Sequence, residues 1–207
     1  MGSQRDGNVA DAAGRRRDAA VAGHHADEDQ ARLSLEDGDA AVRATALGAL
    51  ARMGRITAAD ILALLEDPAA PVRRRACEVA AVADLVTVGP ALVAALDDND
   101  VSVPEVAAWA IGEQSVTPPG AVSALAEMAT GHRDALCREA AVAALGAIGD
   151  EAGLPAILAA TKDKPAVRRR AVLALAPFEG PHVDAALEAA LNDRDWQVRQ
   201  AAEDLSS

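Results

Sequence analysis

Histidine, cysteine and clustered carboxylates are the side chains that could hold a metal or carry nucleophilic chemistry, and their spacing here supports neither. The four histidines are His24, His25, His132 and His182. His24 and His25 stand beside Asp27, Glu28 and Asp29, a set that binds a cation usefully only where a fold holds it still. Cys77 and Cys137 are the two cysteines, and neither belongs to a C-x-x-C pair. They read as reduced, buried thiols of a cytoplasmic protein. No Gly-rich phosphate loop is present, and no nucleophile has a base at workable spacing. No catalytic residue, metal ligand or cofactor site is therefore expected.

A different chemistry recurs along the chain. Arginine presents a planar fork of N–H donors that fits a carboxylate or a pair of turn carbonyls. Arg43, Arg73, Arg138, Arg168 and Arg199 each follow an apolar residue, in Val42-Arg43, Val72-Arg73, Cys137-Arg138, Val167-Arg168 and Val198-Arg199. Val103-Pro104 is the one copy with proline in place of arginine. The first residues lie at 42, 72, 103, 137, 167 and 198, giving spacings of 30, 31, 34, 30 and 31. A period in this range signals stacked two-helix units, each too small to bury its own apolar face alone.

The elements that position these arginines follow from the same period. Short helices are expected over 58–66, 90–96, 120–129, 154–161 and 181–191, several opening at Gly-Pro or Pro-Gly, where proline's missing N–H has no helical partner to lose. Polar turns such as Glu66-Asp67-Pro68 and Asn192-Asp193-Arg194-Asp195 end them. The arginines then stand in a second helix that reads V-R-x-x-A-x-x-A-L-G. Counting from its first residue, offsets 0, +4, +7, +8 and +11 share one helical face, which is Cys137, Ala141, Ala144, Leu145 and Ile148 in the fourth copy. The arginine at +1 lies at the edge of that core stripe, and +2, +6 and +9 point away as a ridge. Pro104 should make the third second helix start late, and the longer spacing should loop out at Gly131-His132-Arg133-Asp134.

Composition narrows the class further. The apolar half of the chain is mostly alanine, with one Phe, two Trp and no Tyr, so stability must come from many small, repeated contacts. The formal net charge is −12, which disfavours nucleic acid, whose affinity depends on neutralising phosphates. No apolar run reaches membrane-spanning length, since the longest, Leu85 to Leu96, contains Gly89-Pro90. Residues 1–25 carry only Val9 and Val21 as larger apolar residues and are expected to be a disordered tail ahead of a repeat domain over 26–207.

The repeated phrase resembles the HEAT repeats, in the short form typical of phycobilin lyases, over about residues 28–205. The resemblance implies an all-α, right-handed α-solenoid of about six two-helix repeats. It also implies a ladder of turn aspartates and second-helix arginines that bridge within or between neighbouring repeats, the matching pairs here being Asp37 with Arg43, Asp67 with Arg73, Asp163 with Arg168 and Asp193 with Arg199. Two ladder positions are altered, with Pro104 for the arginine of the third repeat and Gly131 at the expected aspartate place of the fourth. HEAT arrays look like adaptors, so the expected partner is another protein, held on the concave second-helix face. The ridge candidates are Trp109 as an anchor, Arg74, Arg75, Glu78 and Glu105 as its polar rim, and Arg169 and Arg170 as a second basic patch. Trp109 also has a structural reading, packed between neighbouring second helices. Two alternatives stand beside the scaffold: a lyase-like enzyme subunit, and a subunit of a larger helical-repeat assembly. The paired His-Glu motifs of the HEAT-type hydroxylases are missing, because no histidine here is followed by glutamate.

Overall fold

The computed structural model describes residues 3–25, 27–83 and 86–205. The extreme ends of the expected tail and repeat domain, and the boundary residue 26, lie outside the described residues. The chain is all-α: the described residues form thirteen α-helices and three short 3₁₀ turns, with no strand among them. It divides into two compact units, Met1–Val88 and Gly89–Ser207.

In the first unit, α1 (Ser3–His25) precedes two helix pairs, α2 (Glu28–Ser34) with α3 (Ala40–Arg52) and α4 (Ala58–Leu65) with α5 (Ala70–Ala83). The second unit holds four pairs. These are α6 (Gly89–Ala94) with α7 (Ser102–Gly112), α8 (Ala121–Gly131) with α9 (Ala135–Ile148), α10 (Leu154–Ala160) with α11 (Pro165–Ala174), and α12 (Pro181–Leu191) with α13 (Trp196–Leu205). Within each unit the second helices pack side by side, α3 on α5, α7 on α9, α9 on α11 and α11 on α13. Four of the five stripe residues expected in the fourth repeat are buried, with Cys137, Ala141, Ala144 and Leu145 each at most 3% exposed, while Ile148 at the helix end is half-buried. The larger core side chains come from both layers, with Leu125 and Ile157 on first helices and Ile111, Leu145 and Leu175 from the second-helix phrase.

Alanine-rich stripes bury little area each, so the helices must come close. The glycine that ends the phrase permits this. A Cβ on Gly146 would stand 2.7 Å from the Cα of Ala174 on α11, and one on Gly112 would stand 3.1 Å from the Cα of Ala144. Gly149 serves differently. At φ 68° it ends α9, and its N–H donates to the Leu145 carbonyl at 3.0 Å.

Two sequence expectations meet a different outcome here. Residues 3–25 are helical and not an unstructured tail, and α1 packs along α3. Ala19 and Ala22 are buried, the first with Val42 and Ala46, the second with Ala31, Ala49 and Leu50. Large apolar side chains are scarce in α1, but alanine and glycine let the backbones meet, with a Gly23 Cβ position 2.9 Å from the Ala49 Cβ. Next, the extra length of the fourth repeat does not loop out at 131–134. It sits in the 113–120 connection before α8, where Pro118, Pro119 and Gly120 end the loop. Helix α8 then runs on to Gly131, leaving a turn no longer than the others. A third expectation holds. Helix α7 begins one residue later relative to its apolar phrase than α5 or α9, which puts Pro104 in the first turn, where its missing N–H costs nothing.

The close approach at Gly146 is testable. Gly146→Ala should lower unfolding stability by about 1–3 kcal/mol, because the methyl meets backbone and cannot be relieved by a rotamer change. Gly131→Ala faces open space and should be neutral or slightly stabilising in the same chemical denaturation series.

Candidate functional site

On α3, α9 and α11 the arginine at offset +1 of the repeated phrase uses both edges of its guanidinium. Arg168 donates through Nε and Nη2 to the two carboxylate oxygens of Asp193, at 2.9 and 2.7 Å, and through Nη1 to the Asp163 carbonyl at 2.9 Å. Arg43 does the same to Asp67, at 2.8 and 2.7 Å, and to the Asp37 carbonyl at 2.7 Å. Arg138 reaches Asp163 at 2.6 and 2.7 Å and the His132 carbonyl at 2.7 Å. The aspartate in turn accepts from its own turn, as Asp193 does from the N–H of Asp195 at 2.8 Å.

The expected pairs are therefore corrected in register. Asp37 with Arg43, Asp67 with Arg73, Asp163 with Arg168 and Asp193 with Arg199 do meet, but through the aspartate's carbonyl. In the rungs of Arg43, Arg138 and Arg168 the carboxylate belongs to the following repeat. The turn carbonyl lies directly beneath the helix start, within reach of Nη1, while the opposite edge of the fork faces across to the next turn. Two rung members fall outside the expected pairs. Arg138 stands in the repeated phrase, but pairing within a repeat gives it no aspartate. Arg15 of α1 grips the Asp37 carboxylate at 2.7 and 3.2 Å, so α1 holds the place of a preceding repeat's second helix.

The altered rung is also re-placed. The residue that plays the aspartate's part before α9 is His132 and not Gly131: its Nδ1 accepts from the N–H of Asp134 at 3.1 Å, as the Asp193 carboxylate does from Asp195. Pro104 on α7 and His132 are thus the two ends of one rung, replaced together.

Burial and pairing set the electrostatics. Hydrogen bonds from Arg138 hold the Asp163 carboxyl below its usual range, and those from Arg168 do so for Asp193. At Asp67 burial opposes the charged form, but Arg43 and the Ala69 N–H outweigh it and the value is again lowered. Cys137 behaves oppositely. Burial pushes its thiol up to about 11, so it stays protonated at neutral pH, and its Sγ lies 3.4 Å from the Val101 carbonyl. Among the described residues no group of three or more His, Cys, Asp or Glu is placed to hold a metal. No helix among them is long and apolar enough to cross a membrane.

The ridge candidates fall in both units. In the first unit Arg74 and Arg75 both turn to Glu78, at 3.2 and 2.6 Å, which neutralises much of that basic patch. In the second unit Arg170 lies 3.6 Å from Glu139, while Arg169 beside it makes no ion pair among the described residues. Trp109 is 44% exposed on α7, with Glu105 one turn before it and Glu113 one turn after. Its neighbours at the same offset in the second unit are Ala143, Leu173 and Asp204. The structure brings together Arg74, Arg75 and Glu78, and separately places Glu105 and Trp109 on one helix.

Paired helices with side-by-side second helices and a turn ladder define an α-solenoid repeat protein. Residues 89–166 match the HEAT repeats, and residues 167–193 match the PBS lyase HEAT-like repeat. Over residues 89–193 the chain belongs to the HEAT-repeat family. No curated protein matches the sequence. Solved structures share the fold at low identity. A designed armadillo repeat protein in complex with the peptide (KR)4 is 20% identical with a TM-score of 0.66, covering 86% of this chain and 97% of that one. The Escherichia coli protein YibA is 20% identical with a TM-score of 0.68, over 89% and 69%. The complex of CpcE and CpcF of phycocyanin lyase from Nostoc sp. is 23% identical with a TM-score of 0.63, over 84% and 74%.

Two measurements check the ladder. Arg168 is 5% exposed and Asp193 is half-buried, so Arg168→Ala leaves the Asp193 carboxylate without its partner and should cost roughly 2–4 kcal/mol, between exposed-pair and buried-pair values, whereas Arg169→Ala should cost under about 1 kcal/mol. The depressed aspartates add a pH signature. Because the native state binds these protons less readily than the unfolded chain, their stabilisation is complete above about pH 4 and is lost as pH falls through the lowered native values. Unfolding free energy measured against pH should slope down on the acid side, and Asp163→Asn with Asp193→Asn should flatten part of that slope.

Proposed function

We propose that this protein is a non-catalytic, cytoplasmic scaffold that binds another protein through the second-helix layer of residues 89–207, with Trp109 as its anchor. The observation that carries this reading is the exposure of Trp109. A large, rigid aromatic stands open to solvent on a packed helix, amid small neighbours, which is the profile of an interface hot spot. The buried, protonated thiol of Cys137 offers no nucleophile, and the ladder arginines are already engaged in holding the turns. A repeat layer also presents a long surface without requiring an enclosed cavity, which suits an extended partner. The structural neighbours include one repeat protein with a peptide and one pair of repeat subunits, in keeping with protein ligands.

A lyase-subunit reading rests on the PBS lyase HEAT-like match over residues 167–193. It would place the chain in a complex with a second subunit and a chromophore-bearing client. Isolation from the native cell separates the two readings: a bilin carried along supports the lyase subunit, and reproducible protein partners without pigment support the scaffold.

The decisive variant is Trp109→Ala, followed by pull-down with mass spectrometry and by thermal melting. The expected result is loss of the partner with a cooperative unfolding transition kept and a melting temperature lowered by no more than about 5–8 °C, the amount that the buried part of a half-exposed indole contributes. A large melting loss, or an intact partner, would return Trp109 to a structural role.

A further inference from the structure

Two repeats carry an arginine at offset +3 of their second helix, Arg75 and Arg170. Both lie back across the second helix that precedes them. Arg75 covers Gly48 of α3 so closely that a Cβ there would collide with its Nη2. Arg170 on α11 extends to Glu139, the offset +2 residue of α9, at 3.6 Å. The junction between α7 and α9 has the same parts with one exchanged. Offset +2 of α7 is Glu105, the counterpart of Glu139, but offset +3 of α9 is Ala140. Glu105 makes no ion pair among the described residues. Where the two junctions that carry the arginine have Gly48 or Ala143 at offset +6, this one has the exposed indole of Trp109.

We infer that Glu105 and Trp109 receive the guanidinium of an arginine on an extended partner segment, in the position that Arg170 fills from within the chain at the next junction. The inference rests on the reading that this second-helix layer is the binding face, and it names the chemistry recognised there. An arginine plane stacks on the indole face while its N–H edge meets the Glu105 carboxylate, a combination that a lysine ammonium cannot reproduce. Glu113, exposed one turn beyond Trp109, extends the negative rim along the path of such a segment. The chain's net charge of −12 favours encounter with a basic partner and disfavours an acidic one.

The test uses the full chain and a fluorescein-labelled octapeptide of alternating Arg and Gly, followed by anisotropy. Parallel peptides replace Arg by Lys or by the neutral isostere citrulline. Saturable binding of the arginine peptide is expected, with citrulline abolishing it and lysine weakening it. Glu105→Gln and Trp109→Ala should each weaken it by about tenfold or more. Glu127→Gln, on the first helix α8, should leave affinity unchanged. Ala140→Arg supplies the missing arginine from within the chain and should block the peptide while melting at or above wild type. Equal binding of the arginine and citrulline peptides would overturn the inference, as would equal losses for Glu105→Gln and Glu127→Gln. A stably folded Ala140→Arg variant that binds like wild type would also overturn it. Should Trp109→Ala lose the native partner while the arginine peptide does not bind wild type, the scaffold reading stands and the arginine assignment falls. Should the peptide behave as expected while Trp109→Ala retains the native partner, the arginine site stands and the scaffold reading falls.

Discussion

The guanidinium rung between successive turns is the interaction on which the packing depends. Each repeat contributes alanine stripes that bury little area, so contact alone gives each helix pair a modest gain. A rung such as Arg168 ties two turns at once. One edge meets the Asp163 carbonyl and the other the Asp193 carboxylate. A buried charge is costly unless its donors are satisfied, and here the arginine's charge is matched and the aspartate's remaining capacity goes to its own turn amide. The rung therefore sets the spacing at which the glycines of the phrase can meet the next helix. Too long a separation would break the fork, and a side chain at Gly146 would prevent the approach.

The same device explains how the first helix is held. Helix α1 has few large apolar residues, but it satisfies both requirements of a repeat, a small-residue face and an arginine aimed at the next turn. Arg15 closes on Asp37 as Arg43 closes on Asp67. Pro104 and His132 show the converse. Where the arginine is lost, the aspartate opposite is lost with it, so neither a buried guanidinium nor a buried carboxylate is stranded. Histidine still supports the turn through Nδ1, which is the part of the aspartate's work that does not need a negative charge.

Turning arginines inward has a consequence for the surface. Arginine supplies nearly all of the chain's basic charge, and each rung takes one arginine and one aspartate together, so the outer faces keep the whole acidic excess with fewer bases among it. The exposed ridge keeps some arginines, but Arg74, Arg75 and Arg170 lie against glutamates. Among the groups that remain open in the second unit is the Trp109 indole between two carboxylates, and that is the chemistry on which recognition would act.

The amino-acid sequence by itself determined the period, the helix pairs, the buried stripe and the identity of most ladder residues. These are local or repeated properties: helical spacing selects the face, and proline, aspartate and glycine stop the helices where they stand. Only the tertiary structure decided which carboxylate each arginine meets, because two turns lie within reach of one side chain and the choice depends on how repeats stack. It likewise decided that α1 joins the array, since the gain from alanine and glycine comes from backbone approach and is invisible to a count of large apolar residues. The extra length of the fourth repeat went to 113–120 because α8 could continue to Gly131 without strain. The exposure of Trp109 was open for the same kind of reason. Its offset placed it on the ridge, but whether a side chain that large folds down against α9 or stands in solvent depends on the room its neighbours leave.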